Sequence, residues 1–173
     1  VGEPNQPLKL FAVYRDVAKL RGREGVDPVD LYFPDLTRRP PRRDKAPVEV
    51  PAGQGPQYFR DQRGRYQRGL LKWLKKDWTG VEDMRAAVAA VEAAQTNPAS
   101  RAFWWVALGF FDALFAKAIT DQEAVARLEN RVEQQLKRLM EDSAIVAERL
   151  MREALFAVAR ARPSRRRARI GEK

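Results

Sequence analysis

The side chains that could do chemistry in this 173-residue chain are its carboxylates, because it contains no histidine and no cysteine. The closest clusters are Glu82-Asp83, Glu141-Asp142 and the pair Glu148 and Glu153. Carboxylates on facing helices can hold two metal ions, but such sites usually add a Glu-x-x-His motif. No glycine-rich phosphate loop is present either. We therefore interpret the clusters as surface ion pairs, and predict no catalytic residue, no metal site, no cofactor and no enzyme activity.

An aromatic stretch over residues 102–114 is the second candidate for function. It is apolar nearly all round, which is typical of a helix buried in a core or in a membrane. A membrane span needs about 20 apolar residues, and Arg101, Asp112 and Lys117 interrupt or bracket a shorter run. The stretch therefore predicts the central helix of a bundle, with no transmembrane segment. Asp112 is expected to form an ion pair with a neighbouring helix or to lie at the rim; the alternative is a polar anchor for a partner.

Trp104 and Trp105 point about 100° apart if this stretch is helical, so they cannot face the same way. One tryptophan is expected to fill the core. The other either packs against the N-terminal segment or stays exposed as an aromatic anchor at an interface. The candidate interaction anchors are Trp104, Phe111, Asp112, Tyr32 and Phe33.

Five amphipathic helices would position these residues. Their apolar positions repeat with helical spacing over residues 57–76, 80–95, 98–118, 121–141 and 143–161. Thr79 with Glu82, Asp121 (or Thr120) and Ser143 are candidate caps, and Pro98 is suited to open the third helix. Short breaks between the helices favour an antiparallel bundle of four to five helices. The sequence therefore predicts an all-α fold.

The first 56 residues differ in character from the bundle. A helix is predicted over 8–21, followed by an extended arm over 26–36 that Pro28 and Pro34 keep from being helical. Residues 37–56 hold five of the eleven prolines, which is typical of a linker or mobile loop. We therefore divide the chain into an N-terminal helix and arm (1–56), a bundle (57–162) and a basic tail (163–173).

The formal net charge of +10 is unevenly distributed. Residues 57–159 hold 16 Lys/Arg and 14 Asp/Glu, whereas residues 160–173 hold 7 and 1. A nucleic-acid-binding domain is expected to carry its surplus on the folded face, so nucleic acid is not the expected partner. The tail is interpreted as a solvated linker, with weak polyanion contact as the alternative. The residues that would make that contact are Arg165, Arg166, Arg167 and Arg169.

One segment resembles a known signature. Trp105-Val106-Ala107-Leu108-Gly109 has the spacing of the His-x-x-Lys-Gly motif of histidine phosphotransfer (Hpt) helices, with Trp105 in the histidine position, Leu108 in the lysine position and Gly109 kept. Residues 103–114, Gln134-Gln135-Leu136 and Val146–Leu150 resemble the N-terminal region of large CheA-like hybrid histidine kinases of the ChpA/PilL type, as do Tyr14-Arg15-Asp16 and residues 27–36. These kinases are linked to type IV pili and twitching motility. The resemblance covers most of residues 10–162 and implies a degenerate Hpt-like bundle.

These observations favour recognition over catalysis. The resemblance implies a non-catalytic interaction or scaffold module of a chemosensory phosphorelay kinase that cannot carry phosphohistidine, with protein partners from a chemosensory or pilus system. The alternative is a basic adaptor that binds nucleic acid or an acidic membrane surface through its tail. If the aromatic helix leaves part of its surface exposed, a homodimer is expected; otherwise the arm covers that surface through Leu31, Tyr32, Phe33 and Leu36. A cytoplasmic location is expected, since residues 1–20 lack a signal-peptide pattern and no disulfide can form.

Overall fold

The computed structural model describes residues 28–37 and 39–161. A short 3-10 helix (Pro28–Leu31) precedes five α-helices, and no strand occurs in these two ranges. The helices are α1 (Gly55–Leu74), α2 (Thr79–Ala93), α3 (Pro98–Phe115), α4 (Gln122–Met140) and α5 (Glu148–Ala159). The all-α helical bundle is confirmed. The helix predicted over 8–21 and the tail over 163–173 lie outside the described residues.

The helices pack in a closed ring in the order α1, α2, α3, α5, α4. Hydrogen bonds and ion pairs show that neighbours other than α3 and α5 run antiparallel. For α1 and α2 the contacts that fix the direction are Tyr58–Ala90 and Lys72–Asp83, and for α2 and α3 they are Glu92–Arg101 and Arg85–Asp112. For α1 and α4 they are Arg63–Glu133 and Tyr66–Glu129. For α4 and the start of α5 they are Arg131–Glu153 and Gln135–Ile145. Helices α3 and α5 consequently run parallel.

Helix α3 supplies the largest side chains of the core. Phe103, Trp104, Phe110 and Phe111 are fully buried, and the ring of Phe111 packs edge-on against Tyr66 of α1 with centroids 5.8 Å apart. The other helices each present a narrower apolar stripe to this core. The interpretation of residues 102–114 as the central bundle helix is confirmed. None of the five helices combines the length and hydropathy that a bilayer crossing requires.

Two of the predicted helix starts are confirmed and two are wrong. Pro98 opens α3, where Asn97 accepts from the backbone of the first turn, and Asp121 accepts from Ala124 N at 3.0 Å to cap α4. Thr79 is already inside α2, because Asp77 accepts from both its N–H and its hydroxyl. Ser143 does not start α5, because its N–H donates to the Arg138 carbonyl at the end of α4; four more residues follow before α5 begins.

In the proline-rich segment, the described residues 37 and 39–54 form no helix, as expected, but the segment is bound to the bundle. The Arg43 guanidinium donates to the carbonyls of Glu92 at 2.6 Å, Ala93 at 3.2 Å and Gln95 at 2.8 Å. These carbonyls lie at the end of α2, where a helix favours positive charge. Val48 N donates to Ala93 O at 2.8 Å. The segment is therefore anchored at these two residues, which a freely mobile loop would not be.

Candidate protein-interaction face on helix α3

The residues of the Hpt-like signature lie together on the side of α3 that faces away from the core. Trp105 is 46% exposed, Leu108 and Gly109 are half-buried, and Asp112 is exposed. Their spacing of three, four and seven residues places them on one helical face. Helix α2 flanks this face on one side and α5 on the other. We call these four residues the α3 face.

Trp104 and Trp105 point in different directions, as expected for adjacent residues of a helix. Trp104 is fully buried and packs against Phe103 with ring centroids 5.1 Å apart, whereas Trp105 is exposed. The predicted anchor roles of Trp104 and Phe111 are wrong, because both side chains are completely enclosed by the bundle and cannot reach a partner. Trp105 was named only as a signature position, yet it is the tryptophan that is accessible.

Asp112 lies at the rim rather than in the core. Its carboxylate forms an ion pair with Arg85 of α2, and both side chains are about half exposed. One turn before Trp105, Arg101 pairs with Glu92 at 3.1 Å and donates to Pro41 O at 2.6 Å. The exposed indole is therefore edged on its α2 side by ordered charged groups. Apolar contact at the centre with polar groups around it is the usual anatomy of a protein interface.

The α3 face has no histidine at its signature position that could accept a phosphoryl group. The indole of Trp105 stands in the histidine position, and Leu108 supplies no positive charge in the lysine position. Gly109 is not forced by packing either, since a Cβ there would meet nothing nearer than Val158 Cγ2 at 4.0 Å. The arrangement is suited to binding through an aromatic side chain, with no nucleophile in the histidine position.

The remaining predicted sites lie elsewhere. Tyr32 is buried against Phe156 of α5, and Phe33 is 65% exposed with its ring 5.7 Å from the Arg152 guanidinium. The arm therefore packs on α5. One of the predicted alternatives placed it over the aromatic helix instead. The four tail arginines lie outside the described residues. Within the described ranges, no three carboxylates gather as metal ligands would.

A buried carboxyl, Glu129, escaped the sequence reasoning. It is 1% exposed and lies between α4 and α1, where the Trp73 indole donates to its side chain. Desolvation raises its pKa from 4.5 to about 7, and the Trp73 hydrogen bond only partly offsets this. The sequence could have predicted this burial from helical spacing. Glu129 follows Val125 by four residues and precedes Val132 by three, so it lies on the apolar stripe of α4.

Residues 51–170 match the family model described as the second domain of the FimL scaffold protein. That range is well over half of the chain and includes all five helices. The chain belongs to the FimL second-domain family. No curated protein and no solved structure shows a significant match. Membership of a scaffold family agrees with the predicted class, an interaction module rather than an enzyme. The finer resemblance to the Hpt-like region of ChpA/PilL-type kinases stays a prediction.

Proposed function

We propose that this domain is a non-catalytic recognition module of a scaffold in a type IV pilus chemosensory system, and that the α3 face is its recognition surface. The family supports the scaffold role. The observation that carries the proposal is the exposure of Trp105, and the resemblance to the Hpt signature assigns this residue to the phosphoacceptor position.

The α3 face has the physical properties of a recognition site. Tryptophan is among the residues that contribute most to protein–protein affinity, because it buries a large rigid surface at little cost in conformational entropy. Leu108 extends the apolar centre, and the Arg85–Asp112 pair gives the edge a polar group of each sign. A partner that covers the indole would find charged groups at the rim that fix its orientation.

The proposed partner is a protein of the same signalling system. The resemblance to the Hpt signature supports descent from a domain that contacted phosphorelay proteins through this face. Replacement of a phosphoacceptor by an indole would keep the docking geometry while removing the chemistry. Such a module would position partners, or associate with a second copy, without taking part in phosphoryl transfer.

Substitution of Trp105 tests the proposal directly. Trp105→Ala should change the free energy of unfolding by less than about 1 kcal/mol, because the side chain is half in solvent. It should weaken partner capture tenfold or more. The neighbouring Trp104→Ala is the matched control: it should lower stability by roughly 3–5 kcal/mol through a core cavity. Chemical denaturation measures the free energy of unfolding, and capture of partner protein on the immobilised chain measures binding.

A photo-crosslinking amino acid at position 105 identifies the partner and provides the contradicting outcome. Crosslinks to pilus chemosensory proteins from position 105, and their absence from Ile145, which is 76% exposed, would support the proposal. Equal crosslinking from both positions would show that the α3 face has no special role. Phosphate transferred to the chain by an active histidine kinase would contradict the non-catalytic assignment.

A further inference from the structure

Residues 29–33 of the arm occupy a surface of α5 that is separate from the main core. Val29 and Tyr32 are buried with Phe156 in a small apolar cluster of their own, against which Leu155 packs. The rings of Tyr32 and Phe156 meet edge-on with centroids 5.4 Å apart. The arm therefore lies on the bundle as a short peptide would lie on a helix.

Charges on α5 complement the arm. Asp30 Oδ1 accepts from Arg149 Nη1 at 2.5 Å, and the Phe33 ring lies 5.7 Å from the Arg152 guanidinium. Arg149 is itself oriented by Glu153, 3.3 Å from its Nε. The α5 surface thus recognises four features of the arm in sequence: an aliphatic residue, an acid, and two adjacent aromatic residues after one intervening position.

The arm fills this groove incompletely. A cavity of about 170 Å³ extends from Val29 between α3, α4 and α5. Its lining is mixed: Phe110, Val125 and Leu128 supply apolar surface, and the charged residues Asp121, Glu153 and Arg160 also line it. Apolar atoms that face an unfilled cavity forfeit dispersion energy. Valine is the smallest branched aliphatic side chain, so a larger apolar residue at its position would reach further into the cavity.

We propose that this groove is a docking site for an acidic–aromatic segment of a partner protein, which displaces the arm. The segment would carry leucine or a larger apolar residue in the Val29 position, an acid in the Asp30 position and an aromatic residue in the Tyr32 position. The arm is then a built-in occupant that keeps the groove covered until such a segment arrives. The groove is on α5, so the proposal stands or falls independently of the α3 face.

Competition between tethered and free segments sets the expected affinities. A tethered segment acts at an effective concentration in the millimolar range, so an identical free peptide would bind the intact chain poorly. Each additional buried methylene tightens binding about fourfold. A partner segment with a larger apolar residue in the Val29 position would therefore bind the groove more tightly than the arm sequence does. Asp30 and Arg149 are both about half exposed, so their ion pair contributes direction more than affinity.

The test uses the full chain with its arm weakened by Tyr32→Ser and a fluorescein-labelled peptide of residues 26–36 that carries Val29→Leu. Fluorescence anisotropy should show saturable binding, at least tenfold weaker to the unsubstituted chain. The peptide with valine retained should bind about fourfold more weakly than the leucine peptide. Arg149→Glu in the same background should reduce binding, and a peptide that also carries Asp30→Lys should recover part of it.

Absence of saturable binding to the Tyr32→Ser chain, or binding that Arg149→Glu leaves unchanged, would overturn the proposal. Circular dichroism checks that the chain remains folded, and a second variant, Asp30→Lys, weakens the arm without touching the apolar cluster. Light scattering separates the other occupant: a dimer of the unsubstituted chain that the peptide dissociates would assign the groove to the arm of a second copy and reject a partner protein.

Discussion

Glu129 is the residue whose surroundings differ most from what its side chain ordinarily tolerates. The carboxyl is sealed between α4 and α1, and its Oε2 has no hydrogen-bond partner among the described residues. Burial also raises the pKa of the nearby Tyr66 phenol well above its usual value, with Glu129 and Glu133 adding to the rise. Tyr66 uses its hydroxyl to donate to the backbone carbonyl of Glu129 at 2.7 Å. Tyr66 therefore binds the backbone of α4 and does not donate a hydrogen bond to the Glu129 carboxylate.

The stability of the domain should therefore fall as pH rises through the titration of Glu129. The folded protein binds the proton more tightly than the unfolded chain, so stability is greatest below about pH 4.5, declines towards pH 7, and is level above that. A shift of this size corresponds to roughly 3 kcal/mol. Glu129→Gln should abolish the decline and be more stable than the unsubstituted chain at pH 8.

Urea denaturation at pH values from 4.5 to 8.5 measures this difference. Glu123→Gln, on the exposed side of the same helix, is the matched control and should leave the pH profile of stability unchanged. A constant gap between the Glu129→Gln and unsubstituted curves across the whole range would show that the pKa of Glu129 does not change on folding.

At the scale of helices, α1 and α2 approach each other closely where they cross at Gly69 and Gly80. A Cβ on Gly69 would lie 2.7 Å from Gly80 O, 2.8 Å from Asp83 Cβ and 2.9 Å from Met84 N. A Cβ on Gly80 would collide with the Gly69 carbonyl. Both glycines are buried, and the obstacles are mainly backbone. The two helices can meet this closely only because neither has a side chain there.

Gly69→Ala and Gly80→Ala should each destabilise the domain by about 3 kcal/mol, since the helices must separate to admit the methyl group. Gly64→Ala, earlier in α1, is the opposite case. Its nearest new contact is the far end of the Arg68 side chain at 3.4 Å, so it should stabilise the helix by up to about 1 kcal/mol. Thermal unfolding of the three variants decides the point, and similar Tm values for all three would refute the close crossing.

Helix existence and order could be predicted because amphipathic periodicity is local. All five helices were placed within a few residues except at the start of α5, where the loop that ends α4 extends to Ala147. What could not be predicted depends on which elements meet. The period does not indicate that Gly69 faces Gly80, that Arg43 reaches the end of α2, or that the arm packs on α5. The ion pair and the rim position expected for Asp112 are both observed, whereas its role as an anchor for a partner stays a prediction.

At the scale of the molecule, two surfaces are left for recognition, and they differ in kind. The α3 face is open and centred on an exposed indole. The α5 groove is covered by the arm, whose chain then continues to Pro41, where Arg101 of α3 holds it. Arg101 lies one turn before Trp105, so the chain that carries the arm is also held near the start of α3.

The charge of the molecule supports one last prediction, about polyanions. The bundle is nearly neutral, and the surplus is concentrated after residue 160. If the tail makes the polyanion contacts, replacing Arg165, Arg166, Arg167 and Arg169 by serine should lower the slope of log affinity for duplex DNA against log salt by about 3–4, close to 0.9 per lost contact. The matched control replaces four exposed cations of the bundle, Arg60, Arg65, Arg68 and Lys75, and should change the slope by less than about 1. Anisotropy titrations at several salt concentrations measure both slopes. A larger loss in the control would place the polyanion contact on the folded α1 surface, and the tail would then be only a solvated connection.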